Sequence, residues 1–244
     1  MLKISKYIFV LLFSSATLPL CAQSDQKDTL NAPSRVRGIQ FDSREAAAKA
    51  MRQKAIPLLS GMSVSADVVG AVMAAVSPYG QWEGAFRVHL KEKFFPIVEI
   101  GWGVSDHTDE TSELHYKTHA PYFKIGCDYN FMKDKLSKNR IFGGLRYAFT
   151  SFKYDVDGPA IVDPVYGTET PFHFTDVSSN AQWMELVFGL EARVWRFLHL
   201  GWSFRYRFQT HEKKSSLGNS WYIPGYGKSG STALGGTFNV TFDI

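Results

Sequence analysis

The sequence predicts an all-β chain: an eight-stranded antiparallel transmembrane β-barrel preceded by a short N-terminal helical and extended segment. Three observations point there. Eight runs between Gly61 and Ile244 alternate apolar and polar side chains, and most approach the roughly 9–11 residues a tilted membrane strand needs. The connections between the runs alternate in length, as in a barrel with tight turns at one end and loops at the other. The polar face mixes glycine with charges of both signs, which suits a crowded interior better than a wetted surface.

Composition removes the competing classes. The 244 residues are 45% hydrophobic and 15% aromatic, ample for burial and incompatible with a disordered chain. Two cysteines cannot build a disulfide scaffold. Beyond the N-terminal segment no apolar run reaches the roughly 18 residues of a membrane helix.

The N-terminus reads as an export signal over residues 1–22. Lys3 and Lys6 precede the apolar stretch Tyr7–Phe13, and Leu20-Cys21-Ala22 offers a small residue for cleavage before Gln23. Its removal leaves a net charge of +2, which gives no support to a nucleic-acid partner. A lipid-modified Cys21 at the mature N-terminus is the rival, weakened by Leu20 where a small residue is usual. Cys127 is then a lone thiol, a small packing or surface residue. Residues 23–57 form a periplasmic segment. Gln23–Gln40 is a polar tether, and Asp42–Lys54 is a helix capped by Asp42 or Ser43 and followed by Pro57. From Gly61 onward no helix signal remains, and residues 58–244 are assigned to the barrel.

Each strand follows from its alternation. Met62, Val64, Ala66 and Val68 oppose Ser63, Ser65 and Asp67. Trp82, Phe86, Val88 and Leu90 oppose Glu83, Arg87 and His89. Val98, Ile100, Trp102 and Val104 oppose Glu99, Gly101 and Gly103. Phe123, Ile125, Cys127, Tyr129 and Phe131 oppose Lys124, Gly126, Asp128 and Asn130. The fifth run is the least clean: Leu145, Tyr147 and Phe149 oppose Gly144, Arg146 and Thr150, with Phe142 and Phe152 on the polar side. Met184, Leu186, Phe188 and Leu190 oppose Glu185, Gly189, Glu191 and Arg193. Leu198, Leu200, Trp202, Phe204, Tyr206 and Phe208 oppose His199, Gly201, Ser203, Arg205 and Arg207. Phe238, Val240, Phe242 and Ile244 oppose Thr237, Asn239, Thr241 and Asp243. Lys91–Lys93, Lys133–Asn139 and Trp195–Phe197 are short connections; Gly70–Gly80, Ser105–Ala120, Lys153–Asn180 and His211–Gly230 are long loops.

Alternation alone does not say which face is outside, since a soluble barrel would turn its rings inward. The polar face holds Gly101, Gly103, Gly126, Gly144, Gly189 and Gly201, small partners for large side chains in a narrow lumen. It sets Asp67, Glu83, Glu99, Asp128, Glu185 and Glu191 against Arg87, Lys124, Arg146, Arg193, Arg205 and Arg207. Arg outnumbers Lys five to one there, and Arg suits paired burial. The chain also ends on an alternating strand. The rings therefore face lipid, with Trp82, Trp102, Trp202, Tyr129, Tyr206 and Phe208 as girdles, and the charges pair in a filled lumen.

Taken together, SVSADVVG (63–70), FFPIVEIGWG (94–103), APYFKIGCDYNF (120–131), GGLRYAFTSFKYD (143–155), WMELVFGLEARVW (183–195), LGWSFRYR (200–207) and WYIPGYGK (221–228) resemble an uncharacterised family of Gram-negative outer-membrane barrel proteins, a domain of unknown function. The resemblance spans residues 58–244. It implies a barrel in the outer membrane and assigns no activity and no functional residue.

Candidate chemistry is sparse. Around WYIPGYGK two readings stay open. One is a contact surface for a partner or lipopolysaccharide, through Trp221, Tyr222, Pro224, Tyr226 and Lys228; the other is a lid folded over the barrel mouth. Tyr154–Gly158 begins like a calcium loop but lacks the downstream Glu, and reads as an Asp-Gly turn. His107, His115, His119 and His211 fall in the long loops beside Ser105 and Ser112. Nothing in their spacing places a base against a nucleophile, and no GxSxG or HExxH is present. Glu83, Glu99 and Glu185 read as members of an ion-pair network. No catalytic residue, cofactor or metal ligand is assigned. The expectation is a non-enzymatic structural or accessory component of the cell envelope. It would touch outer-membrane lipid, and another envelope protein through its outer loops or periplasmic arm. A lipid-modifying enzyme and a small ligand-binding or weakly conducting barrel are the alternatives.

Overall fold

The structure is a computed structural model that describes Met51 and residues 56–244, except 111, 136, 163, 214, 216 and 217; all belong to the unit Lys49–Ile244. The expected signal peptide and tether lie outside the described residues. So does the helix Asp42–Lys54, apart from Met51, which is helical.

Among the described residues, ten strands form in chain order. They are β1 (Leu59–Asp67), β2 (Tyr79–Leu90), β3 (Phe94–Thr108), β4 (His115–Asn130), β5 (Arg140–Val162), β6 (Glu169–Arg193), β7 (Leu198–Glu212), β8 (Tyr222–Ile223), β9 (Gly227–Lys228) and β10 (Thr232–Asp243). Eight of them close a barrel in the order β1-β10-β7-β6-β5-β4-β3-β2, while β8 and β9 make a separate small hairpin. Every barrel pairing is antiparallel, and closure rests on register pairs from Ser63↔Asp243 to Asp67↔Asn239. A closed ring leaves no edge, so the backbone polar groups of the wall find partners within it.

The faces divide as the alternation requires for lipid outside. Ile125 is 58% exposed while its neighbour Lys124 is 1% exposed; Leu186 is 51% exposed beside Glu185 at 0%. The glycines of the inner face receive large neighbours. A Cβ at Gly189 would run into the Phe142 ring, and one at Gly101 into the Tyr122 ring. Phe142, on the polar side of β5, therefore fills the space over Gly189 and also faces the Arg87 guanidinium at 5.3 Å.

Three expectations are corrected. A helix, α1 (Val68–Val76), occupies most of the expected loop Gly70–Gly80. The Asp67 carboxylate caps it by accepting from the Val69 and Gly70 amides at 3.1 Å each. β1 stops there, and α1 packs against β2 and β10 beyond that point. Second, the loops Ser105–Ala120 and Lys153–Asn180 are largely strand: β3 and β4 reach to Thr108 and from His115, and β5 and β6 run 23 and 25 residues. Nearer the barrel their inner face is still buried, at Tyr116, Thr118 and Tyr154; beyond Tyr154 the far end of the β5–β6 ribbon has neither face buried, so alternation no longer marks it. Third, Tyr154–Gly158 is neither a calcium loop nor a turn. It lies within β5, between register shifts at Tyr154/Val156 and Gly158/Ile161, and no metal-ligating cluster occurs among the described residues.

Candidate functional site

Register alone builds the centre of the lumen. It sets Glu99 of β3 opposite Lys124 of β4, and Glu185 of β6 between Arg146 of β5 and Arg207 of β7. Opposite charges on facing strands then meet inside. Lys124 Nζ lies 2.7 Å from Glu83 and 3.1 Å from Glu185. Arg205 spans the lumen to Glu83 and Glu99, both at 2.9 Å, and reaches Glu185 at 3.3 Å. Glu185 also meets Arg207 Nε at 3.2 Å and accepts from Trp183 Nε1 at 2.8 Å.

The cluster continues toward the short turns. Arg146 binds Glu99 at 3.0 Å and holds Asp128 through both terminal nitrogens, at 2.6 and 2.9 Å. Arg87 joins Glu191 at 2.7 Å, and Arg140 joins the same Glu191 at 3.1 Å. His199 lies 2.9 Å from Asp243 at that mouth. Buried charges are stable only when matched in this way. The void beside Arg87, Phe142 and Arg205 measures about 10 Å³, room for roughly one water.

The other mouth is closed by an apolar plug. The Ile223 carbonyl accepts from the Tyr226 amide at 3.0 Å, with Gly225 at φ 82; Pro224 then Gly225 at the two central positions is the chemistry of a type II turn. This turn enters the barrel. Tyr222, Ile223 and Tyr226 are buried among Tyr116, Tyr122, Phe152, Tyr154 and Trp183. Tyr116 Oη donates to the Tyr222 carbonyl at 2.9 Å, and Arg207 Nη1 donates to the Tyr226 carbonyl at 2.9 Å, tying plug to ion cluster.

These positions correct two sets of candidates. Tyr222, Pro224 and Tyr226 are buried and present nothing to an external partner; they form the lid. Trp221 is half-buried and stacks on His107 at 4.5 Å, and exposed Lys228 sits 5.3 Å over the Trp221 ring. Arg193 is not in the interior network. It lies at the end of β6, where its guanidinium donates to the Trp195 and Arg196 carbonyls at 3.0 and 2.5 Å. Asp67 is buried, but it binds amides, adding Phe238 N at 3.2 Å to the two of α1. Glu83, Arg87, Glu99, Lys124, Asp128, Arg146, Glu185, Glu191, Arg205 and Arg207 are brought together. The alternation missed Arg140, which stands where a turn was expected to end.

The loop histidines do not assemble. His115 bonds Thr108 at 2.9 Å, while His119 and His211 stand exposed on the strands. A different trio does line up: Ser63 Oγ is 3.0 Å from His89 Nε2, and His89 Nδ1 is 3.6 Å from Glu92. Ser63 is 1% exposed, however, and Arg140 Nη2 approaches the same Nδ1 to 3.5 Å. A nucleophile needs access for substrate and an undivided base; this trio has neither.

A family model described as a domain of unknown function, DUF6048, matches residues 4–244. No curated protein matches the chain. Among solved structures, a major outer membrane protein from Thermus thermophilus aligns at TM-score 0.43 and 15% identity, over 75% of this chain and 98% of that one. Neisserial surface protein A aligns at 0.38 and 9%, over 75% and 94%. Ail, the attachment invasion locus protein of Yersinia pestis, solved with the heparin analogue sucrose octasulfate, aligns at 0.35 and 9%, over 75% and 94%.

Proposed function

We propose, for a chain that belongs to the DUF6048 family of unknown function, a sealed barrel of the outer membrane that serves the cell envelope as a structural or accessory component and not as a channel or an enzyme. The observation behind this reading is the lumen. Five buried carboxylates, of Glu83, Glu99, Asp128, Glu185 and Glu191, are matched by guanidinium and ammonium groups, and the plug closes the mouth above them. A solute would have to break several buried ion pairs to pass, at about 3–5 kcal/mol each. With the lumen shut, what the barrel offers to other molecules is its rims, above all the β5–β6 ribbon. At the roughly 9–11 residues needed to cross, strands of 23 and 25 residues extend well past the bilayer.

Planar bilayers test this. Purified barrel inserted at neutral pH should give no resolved conductance steps, and the same preparation should release no fatty acid from phospholipid. Regular steps, or hydrolysis lost in Ser63→Ala, would contradict the reading. Mild-detergent co-purification then seeks the envelope protein that the ribbon or the opposite rim contacts.

A further inference from the structure

The turns at the rim opposite the plug are strongly basic. The connections 91–93, 131–139 and 194–197 carry six Lys or Arg against Glu92 and Asp134. Two of these cations converge on one ring of the lipid-facing wall. Lys93 Nζ and Lys135 Nζ each lie 5.6 Å from the centroid of Tyr129, and Lys93 is also 5.4 Å from the Phe94 ring. Phe94, Tyr129 and Phe131 pack edge to face at 5.4 Å and continue the apolar exterior. Lys135 donates to the Asn130 carbonyl at 2.6 Å, which fixes it at the rim.

Two ammonium groups held around one ring repel each other. Partial burial, and then the charge of Lys93, pull the Lys135 ammonium below its ordinary value. An anion placed between them removes that conflict. Beside Lys135 a rim cavity of about 230 Å³ is lined also by Lys138, Arg140, Glu92 and Asp243. Its carboxylates already face Arg140, at 3.7 and 3.8 Å. The Phe94, Tyr129 and Phe131 rings lie on the outer wall, outside the lining of that cavity, and present a surface for acyl chains.

We infer that Lys93, Lys135 and the Phe94–Tyr129–Phe131 rings form a binding site for an anionic phospholipid of the periplasmic leaflet, its phosphate between the two ammonium groups and its chains over the rings. The inference rests on the membrane reading above, taken with the general rule that outer-membrane barrels keep their short turns on the periplasmic side. Cations over aromatic faces at a membrane interface suit such a ligand on both counts, and each lysine near an anionic headgroup adds attraction.

The test uses the purified full barrel with phosphatidylglycerol, phosphatidylcholine and glycerol 3-phosphate as probes, read by native mass spectrometry. The wild type should bind phosphatidylglycerol about thirtyfold more tightly than phosphatidylcholine, the preference that two lysines beside an anionic headgroup supply. Lys93→Gln/Lys135→Gln should lose that preference while keeping the heat-modifiable gel mobility of a folded barrel. Glycerol 3-phosphate should not compete. Equal preference in wild type and variant, or full competition by glycerol 3-phosphate, overturns the site. Insertion into phosphatidylcholine vesicles is scored separately: a barrel that inserts but shows no preference removes this inference alone, and one that never inserts removes the membrane reading with it.

Discussion

At the scale of residues, the lumen depends on matching rather than on any single strong contact. Glu185 meets Lys124, Arg205 and Arg207, and accepts from Trp183, with no exposed surface. Glu185→Gln keeps the shape and removes the charge, leaving three cations short of a partner. It should cost about 3–5 kcal/mol, read as a lower urea midpoint for loss of the folded gel band. Arg193→Ala is the contrast, because its bonds reach only turn carbonyls at a half-exposed site; it should change the same midpoint by less than about 1 kcal/mol. Glu92, in the turn after β2, adds a pH signature. Burial pushes its carboxyl up, but the hydrogen bond with His89 and the charge of Arg140 outweigh this and hold it below its ordinary value. A carboxyl lowered on folding stabilises the fold above its unfolded value, about 4.3, and that contribution disappears as pH falls through the folded value. The stability gap between wild type and Glu92→Gln should therefore be full at neutral pH and shrink in acid; a gap that stays constant from pH 7 to pH 3 contradicts the assignment.

Elements show where sequence patterns are informative and where they stop. The wall strands were readable because one face meets hydrocarbon and the other meets charge, so period two survives across their whole membrane length. Arg193 was misplaced by extending that alternation one step past the end of the lumen. α1 is only weakly marked: it is nine residues long, has Gly70 inside it, and lacks acidic residues in its first turn and basic ones in its last, which leaves Asp67 before it and Pro78 after it as its end signals. The ribbon of β5 and β6 was hidden because neither face is buried at its far end. Pairing partners were likewise unreadable: the charge balance was plain, but Arg205 and Glu99 meet across 106 positions of chain. The plug lay between the two extremes, since Pro224-Gly225 announces a turn but not where the turn docks. Gly225 has φ 82, and a Cβ there would strike the Tyr122 ring. Gly225→Val should therefore expel the plug while the ion cluster below stays shut. Iodide should then quench Trp183, which is shielded in the wild type, with conductance still absent; unchanged quenching would mean the turn is not what covers Trp183.

The whole molecule is an inverted solid: rings and aliphatic side chains outside, a salt lattice and an aromatic stopper within. That arrangement is stable only where hydrocarbon replaces water around the wall, because Trp82, Trp102 and Trp202 remain 44–56% exposed on the isolated chain. The charges are held apart from that solvent by the wall itself, so the bilayer and the lumen are two halves of one requirement. The most direct test is fluorescence quenching in vesicles of brominated phospholipid, comparing a variant that retains only Trp102 with one that retains only Trp183. Bromine on the acyl chains should quench Trp102 strongly and leave Trp183 nearly untouched. Quenching of Trp183 with Trp102 spared would mean that the wall faces the other way.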